Sequence, residues 1–397
     1  MLTTEQIQRF RAETPGVKNR MHFNNAGAAL MPQLVIDAIQ KHLQLEIEIG
    51  GYEAEALVQK EIEGFYQAMA LFLNCKSDNI AYAGNATDAY NRALSAIPFA
   101  EDDVIITTNN DYVSNQIAFL ELQKRYGIQL IRAQDRPEGA VDVDSMRALI
   151  KKHSPKLVAV THVPTNSGLV QPIIEIGNIC AEEDIFYLVD ACQSAGQMPL
   201  DVQQIKCDFL SATYRKFLRG PRGAGFLYAS DKALDLELEP IFVDLHSATW
   251  IEPDIYELRQ DARRFEVWER PFALMLGSKA CVEYALEIGL PNIEQRVKML
   301  ADLCRNKISA IPGIRNLDKG IERCGITTYA LKNWQPDALK NKLQEHKINT
   351  TITRSGGAII DFAEKGVDWA LRVSPHYYNT EEEIDILTNV LSDLIRS

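Results

Sequence analysis

Between residues 79 and 213 the sequence repeats one pattern, a short apolar run rich in β-formers followed by a longer run with apolar side chains at helical spacing. NIAYAG leads to ATDAYNRALSAI, DVIITT to SNQIAFLELQKRYG and KLVAVTH to EIGNICAEED, and IFYLVD and CDFLSAT close the series. Strands separated by helices pair through crossovers, so they lie mostly parallel with helices on both faces of the sheet. The pattern therefore predicts an α/β fold. In such sheets ligands bind beyond the carboxyl ends of the strands. Asn85, Tyr112, Asn166, Asp190 and Lys216 each fall at or just after one of those ends.

Asp190 in FYLVDACQS and Lys216 in SATYRKFLRGPRGAG carry the chemistry. Alone, an acid at a strand end is a helix cap, and a lysine in a glycine-rich loop is solvated surface. At the same end of one sheet they supply what pyridoxal 5′-phosphate needs. The amine forms a Schiff base with its aldehyde, and the carboxylate keeps its pyridine nitrogen protonated so that the ring takes up electrons.

The remaining clusters are consistent with that cofactor. Asn85, Ala86 and Thr87 open a helix, whose free N–H groups and dipole make an anion site. Tyr112 can lie flat on a pyridine ring. In VTHVPTNSG, His162, Thr165 and Asn166 offer donors; Asn166 is the candidate for the phenolic oxygen, as is Gln193, while Thr165 equally suits a turn. Thr213 and Arg215 flank Lys216 and can hold phosphate, and Gly220, Gly223 and Gly225 let the chain turn closely beneath it.

Composition narrows the class. The 397 residues are 46% hydrophobic and 24% charged, enough for a large core and two domains. A net charge of −12 disfavours nucleic acid and anionic membrane as partners. The amino terminus has no secretory pattern and no apolar run has spanning length, so a cytoplasmic location is expected. Seven scattered cysteines without a CxxC pair, and histidines without metal-ligand spacing, predict reduced thiols and no metal site. The alternation ends near residues 237–271. This places a large cofactor-binding domain over residues 20–255 and a smaller α+β domain over residues 256–397, against which residues 1–19 can pack.

FNNAGAALMP, the Asp190/Gln193 segment, RKFLRGPRGAGFLY, ARRFEVWE and RVSPHYYNTEEEID resemble the class V aminotransferase group of fold-type I pyridoxal phosphate enzymes over nearly the whole chain. Within it, TYRKFLRGPRG, DLHSATW and SPHYYNTEEEID are most similar to isopenicillin epimerase-like members and to the sulfoxide lyases of ergothioneine biosynthesis. The resemblance implies a mostly parallel seven-stranded-type sheet with a smaller carboxy-terminal domain, and a homodimer with active sites near the interface. It implies Lys216 as the Schiff-base residue, Asp190 at the pyridine nitrogen and Tyr112 in place of the stacking histidine of cysteine desulfurases. Arg372 would pair with the substrate α-carboxylate, and Asn25, Ala26, Gly27 and His246 would line the substrate end, with Ser247 a further candidate.

Two departures bear on the reaction. TRSGGAIIDFAEKG lacks the mobile-loop cysteine on which desulfurases form a persulfide, and RFEVWE stands where the family has RFEAGT, whose threonine reaches the partner's phosphate. The expected function is therefore α-proton abstraction by Lys216 followed by β- or γ-elimination from an amino acid, of C–S lyase type or with cyclisation. Transamination and epimerisation share the first steps and are the alternatives. A non-catalytic regulator is disfavoured, because the lysine and the acid are retained and no basic DNA-binding segment is present.

Overall fold

The computed structural model describes residues 2–396. Helix α1 (Thr4–Ala12) precedes a seven-stranded sheet made of β1 (Ile80–Ala83), β2 (Val104–Thr107), β3 (Gln129–Arg132), β4 (Leu157–Thr161), β5 (Phe186–Asp190), β6 (Phe209–Thr213) and β7 (Gly225–Ala229). The crossovers include α2 (Ala86–Ala96), α3 (Val113–Tyr126) and α4 (Ile173–Glu182). The strand order is β1-β7-β6-β5-β4-β2-β3, in which β7 runs antiparallel to both neighbours and the pairs from β6 through β3 are parallel. The expected α/β architecture is present.

Both faces of this sheet are buried, which explains its unbroken apolar runs. Side chains alternate between two cores: Val158, Val160, Val189 and Leu210 pack into one, and Leu157, Ala159, Leu188 and Phe209 into the other. The edge strand β3, with exposed Gln129 and a partly exposed Arg132, is the polar exception. Register brings Thr161, Asp190 and Ser211 side by side at the carboxyl ends of β4, β5 and β6.

After a hairpin (Ala248–Glu252 with Ile255–Leu258), α5 (Phe272–Ile288) packs on the helices Gln33–Ile49 and Gln59–Leu73. The long helix α6 (Leu290–Ser309) then leads into a four-stranded antiparallel sheet of β8 (Ile314–Asn316), β9 (Thr327–Leu331), β10 (Thr351–Arg354) and β11 (Trp369–Val373), ordered β8-β9-β11-β10. The terminal helix α7 (Glu381–Arg396) contributes Ile384, Leu387 and Leu391 to the core of that sheet. A division at 255/256 would run through the hairpin, and Ala262 and Phe265 pack with the large sheet. The apolar clusters change over along α6, where Ile293 and Val297 join the first core and Leu300, Cys304 and Ile308 the last. Helix α1 is capped by Thr3, and its Phe10 meets Tyr284 of α5 and Tyr377 edge-on, with ring centroids at 6.1 and 5.3 Å.

Close packing sets one glycine. A Cβ on Gly177 of α4 would stand 1.8 Å from the Ile205 carbonyl oxygen, a backbone atom that cannot swing away. Gly177→Ala should therefore cost about 1–3 kcal/mol of stability by forcing α4 outward, read as a lower urea midpoint at unchanged slope.

Candidate active site

A cavity opens at the carboxyl ends of the parallel strands. It is lined by Asn85, Ala86, Thr87, Tyr112, Thr165, Asp190, Gln193, Thr213, Arg215 and Lys216, together with Asn115, Thr161, Val163 and Cys192. Asn85 caps α2, its Oδ1 accepting from the Asp88 N–H at 2.9 Å, and the first turn points its other N–H groups outward. Gly225 permits this arrangement, since a Cβ there would come within 2.6 Å of the Asn85 carbonyl carbon and 2.8 Å of the Ala86 nitrogen.

Asp190 is buried and held through both oxygens: Oδ1 accepts from the Cys192 N–H at 2.9 Å and Oδ2 from Asn115 Nδ2 at 3.1 Å. Behind it stands a second buried acid that sequence reasoning missed. Asp111 accepts from the Tyr112 N–H at 2.7 Å, Gln116 Nε2 at 2.8 Å, Asn115 Nδ2 at 3.1 Å and the Thr161 hydroxyl. Burial pushes the Asp111 carboxyl above its ordinary range, against the pull of these donors. Asp111 thus orients both Tyr112, through its backbone, and Asp190, through Asn115. The available signal was NDYVSN, where an acid and an amide four apart straddle a helix start.

Lys216 sits in the loop joining β6 to β7 and is 7% exposed. Burial holds its amine below the ordinary 10.5. The loop is pinned on both sides. His376 Nε2 lies 2.8 Å from the Phe217 carbonyl, and Arg219 donates to Tyr377 Oη and Thr14 Oγ1, both at 2.5 Å, and to the Leu30 carbonyl at 2.9 Å.

At the far end, Gln193 Nε2 donates to Thr165 Oγ1 at 2.6 Å and to the Ala26 carbonyl at 3.1 Å, leaving its buried Oε1 without a partner. Arg372 is buried, donates to Asn24 Oδ1 at 3.3 Å and the Thr165 carbonyl at 3.5 Å, and has an unpartnered Nε. Burial first, then Arg215, lowers it to about 10. Arg215 donates to the Gly27 carbonyl.

Three sequence candidates are engaged elsewhere. Asn25 spends its amide on the His22 and Ser374 carbonyls and its oxygen on the Tyr378 hydroxyl, so it staples the chain termini together. Asn166 is not among the lining residues. Its carbonyl accepts from Lys365 Nζ at 2.8 Å, its buried Oδ1 has no partner, and Thr165 takes the place in the cavity. His246 is bound within its own chain to Glu266 at 3.2 Å and Arg270 at 2.8 Å, away from the lining residues.

The sequence model of the class-V aminotransferase family matches residues 21–387. The chain belongs to that family. As a class-V aminotransferase family member it is a pyridoxal-phosphate-dependent enzyme. Among its relatives, a probable cysteine desulfurase of Pyrococcus abyssi is 28% identical over 98% of this chain and 97% of its own length. One of Methanothermobacter thermautotrophicus is 27% identical over 99% and 98%. The fold is similar to that of a cysteine desulfurase from Thermococcus onnurineus NA1, with a TM-score of 0.91 at 24% identity covering 100% and 99% of the two chains. It is also similar to a cystine C–S lyase in complex with its product cysteine persulfide, with a TM-score of 0.83 at 23% identity covering 96% and 99%.

The cavity of this family member fits the cofactor on its own geometry. It combines a glycine-cradled helix start for a phosphate, a buried amine, a doubly anchored acid and a buried Gln193 oxygen without a partner. Because burial disfavours the ammonium form, the neutral Lys216 amine persists to lower pH than that of an exposed lysine. Capture of pyridoxal phosphate by the apoenzyme, followed by absorbance, should accordingly reach half its maximal rate at a pH below 10.5. A midpoint at or above that value contradicts the buried amine.

Proposed function

We propose that the protein is a C–S lyase that removes a sulfur substituent from a cysteine-type amino acid by β-elimination. The observation that carries this reading is a cavity holding Lys216 and Asp190, with Arg372 behind it, but no thiol suited to receive sulfur. Burial, and then Asp190, raise the Cys192 thiol far above its ordinary value, so it stays protonated. The segment from β10 through residue 366 has no cysteine. The names of the relatives as cysteine desulfurases, and of the structural neighbour as a cystine C–S lyase, support cleavage of a C–S bond.

Pyridoxal phosphate, when bound, supplies an aldehyde that condenses with amines and a protonated ring that accepts the electron pair of the substrate Cα–H bond. Thr87, Thr213 and the first turn of α2 would hold its phosphate, Asp190 its ring nitrogen, Tyr112 one ring face, and Gln193 with Thr165 its phenolic oxygen. Lys216 would act as the general base at the substrate Cα. Burial disfavours its ammonium form and so favours the neutral amine that can take that proton. Arg372 would grip the α-carboxylate and turn the Cα–H bond toward Lys216. The Cβ–S bond then breaks, the sulfur leaves with its electron pair on the small fragment, and the three-carbon remnant hydrolyses to pyruvate and ammonium.

The same reading includes a homodimer. Phe242, Leu245 and Trp250 are 83%, 70% and 77% exposed, and Ile117, Tyr126 and Ile241 line a groove that shares Thr87 with the cavity. Exposed apolar side chains of this size mark an interface, and a second copy seated on the groove would close the cavity beside Thr87. Light scattering at micromolar concentration should report two 44.7-kDa chains; a single chain overturns the pairing.

Product analysis tests the reaction. Incubation of the yellow holoenzyme with cysteine, cystine and S-substituted cysteines, without an oxo-acid acceptor, should release pyruvate, ammonium and the sulfur fragment in equal amounts, with no sulfur left on the protein. Amino transfer that requires an acceptor and leaves the C–S bond intact would make the protein an aminotransferase.

A further inference from the structure

The cavity wall that carries Thr165 is held from behind by the carboxy-terminal part of the chain. Four successive carbonyls of this turn accept hydrogen bonds from it. Arg372 Nη1 donates to Thr165 at 3.5 Å, Lys365 Nζ to Asn166 at 2.8 Å, the Lys319 N–H to Ser167 at 2.8 Å and the Cys324 N–H to Gly168 at 2.8 Å. The Ser167 and Gly168 contacts join backbone to backbone, so they follow from the fold alone. The Asn166 carbonyl is held by side chains: Lys365 and, at 3.2 Å, the Thr328 hydroxyl of β9.

Lys365 is set in place by an ion pair. It ends the helix Ile359–Lys365, which lies between β10 and β11, and Asp361 stands one turn earlier on the same face. Lys365 Nζ is 2.6 Å from Asp361 Oδ2, and Lys319 Nζ closes the pair at 3.0 Å from Oδ1. The Lys365 and Asp361 side chains are only 6% and 2% exposed. A buried ion pair is often no more stabilising than apolar side chains of the same volume, so this one is better explained by the geometry it fixes. On the cavity side of the turn, Thr165 Oγ1 accepts from Gln193 Nε2 at 2.6 Å. The hydroxyl hydrogen of Thr165 is then the donor left to meet a ligand. We propose that Lys365, held by Asp361, is a positioning residue of the active site: by gripping the Asn166 carbonyl it fixes the adjoining Thr165 so that the Thr165 hydroxyl donates to the phenolic oxygen of the cofactor. This rests on the reading that places Thr165 at that oxygen, and it holds whichever substrate bond the enzyme breaks.

The pH at which the yellow band of the holoenzyme fades tests this. A donor to the phenolic oxygen competes with the Schiff-base proton beside it, so losing that donor raises the midpoint. Thr165→Val, which removes the donor outright, should raise it by roughly 0.5–1 pH unit, the equivalent of one hydrogen bond. Lys365→Met should raise it by at least about half as much, Lys365→Arg should return it toward the wild-type value, and the Thr165→Val/Lys365→Met double variant should move no further than Thr165→Val alone. A Lys365→Met protein that keeps the wild-type midpoint while unfolding at lower urea makes Lys365 structural only and overturns the inference. A double variant whose shift is the sum of the two single shifts overturns it as well. Should Lys365→Met not fold, Asp361→Asn takes its place, since it keeps the shape and withdraws the charge that holds the ammonium: a raised midpoint supports the inference and an unchanged one overturns it. If Thr165→Val itself leaves the midpoint unmoved, the placing of Thr165 at the phenolic oxygen falls and the inference with it. If Thr165→Val moves it and Lys365→Met does not, only the role of Lys365 falls.

Discussion

Arg219 is fully buried, has no carboxylate partner among the described residues, and ties its own loop to two parts of the chain that are remote in sequence. Its guanidinium bonds Thr14 and Leu30 from the amino-terminal segment and Tyr377 from the carboxy-terminal one, and lies 4.4 Å from the ring centroid of Tyr378. A cation in that position is stabilised by aromatic faces and neutral oxygens instead of a counter-ion. Its backbone is left-handed, at φ 61°, a conformation that a non-glycine residue holds only where its surroundings enforce it. Lys216 lies three residues earlier in the same loop. The Lys216 amine is therefore placed by a staple that needs both the amino-terminal and the carboxy-terminal segments of the chain.

The active site is built around the charges it lacks. Asp190 and Asp111 share donors on the sheet side, while Lys216, Arg215 and Arg372 converge from the other. Burial alone makes this distribution unfavourable. The phosphate and the protonated ring of the cofactor would offset it, so affinity for the cofactor and the cost of the empty site have one origin. The protonated Cys192 beside Asp190 belongs to the same electrostatics, because an acid neighbour and burial both oppose a thiolate.

Much of the site was legible because a parallel sheet converts strand ends into a common address. Asn85, Tyr112, Asp190 and Lys216 could be located from alternation alone, and the cavity brings them together. Asn115 and Asp111 escaped notice because their importance lies in which oxygen each donor reaches, a matter of register between α3, β4 and β5. The exchange of Asn166 for Thr165 turned on the direction of one side chain in a tight turn. Asn25 has the right residue type in the right segment, yet its hydrogen bonds are consumed by backbone carbonyls that only the folded termini bring near.

By itself the sequence determined the α/β class, a lysine and an acid just beyond neighbouring strand ends, and the absence of a cysteine in residues 351–366, since each depends on residue type and on periodicity along a single chain. Tertiary structure decided the rest: where Arg215 points, that Arg372 is buried without a partner, that Cys192 stays a thiol, and that His246 is spent on Glu266 and Arg270. Those are properties of neighbours, and hydrogen-bond partners, desolvation and net local charge exist only once segments hundreds of residues apart are packed against one another.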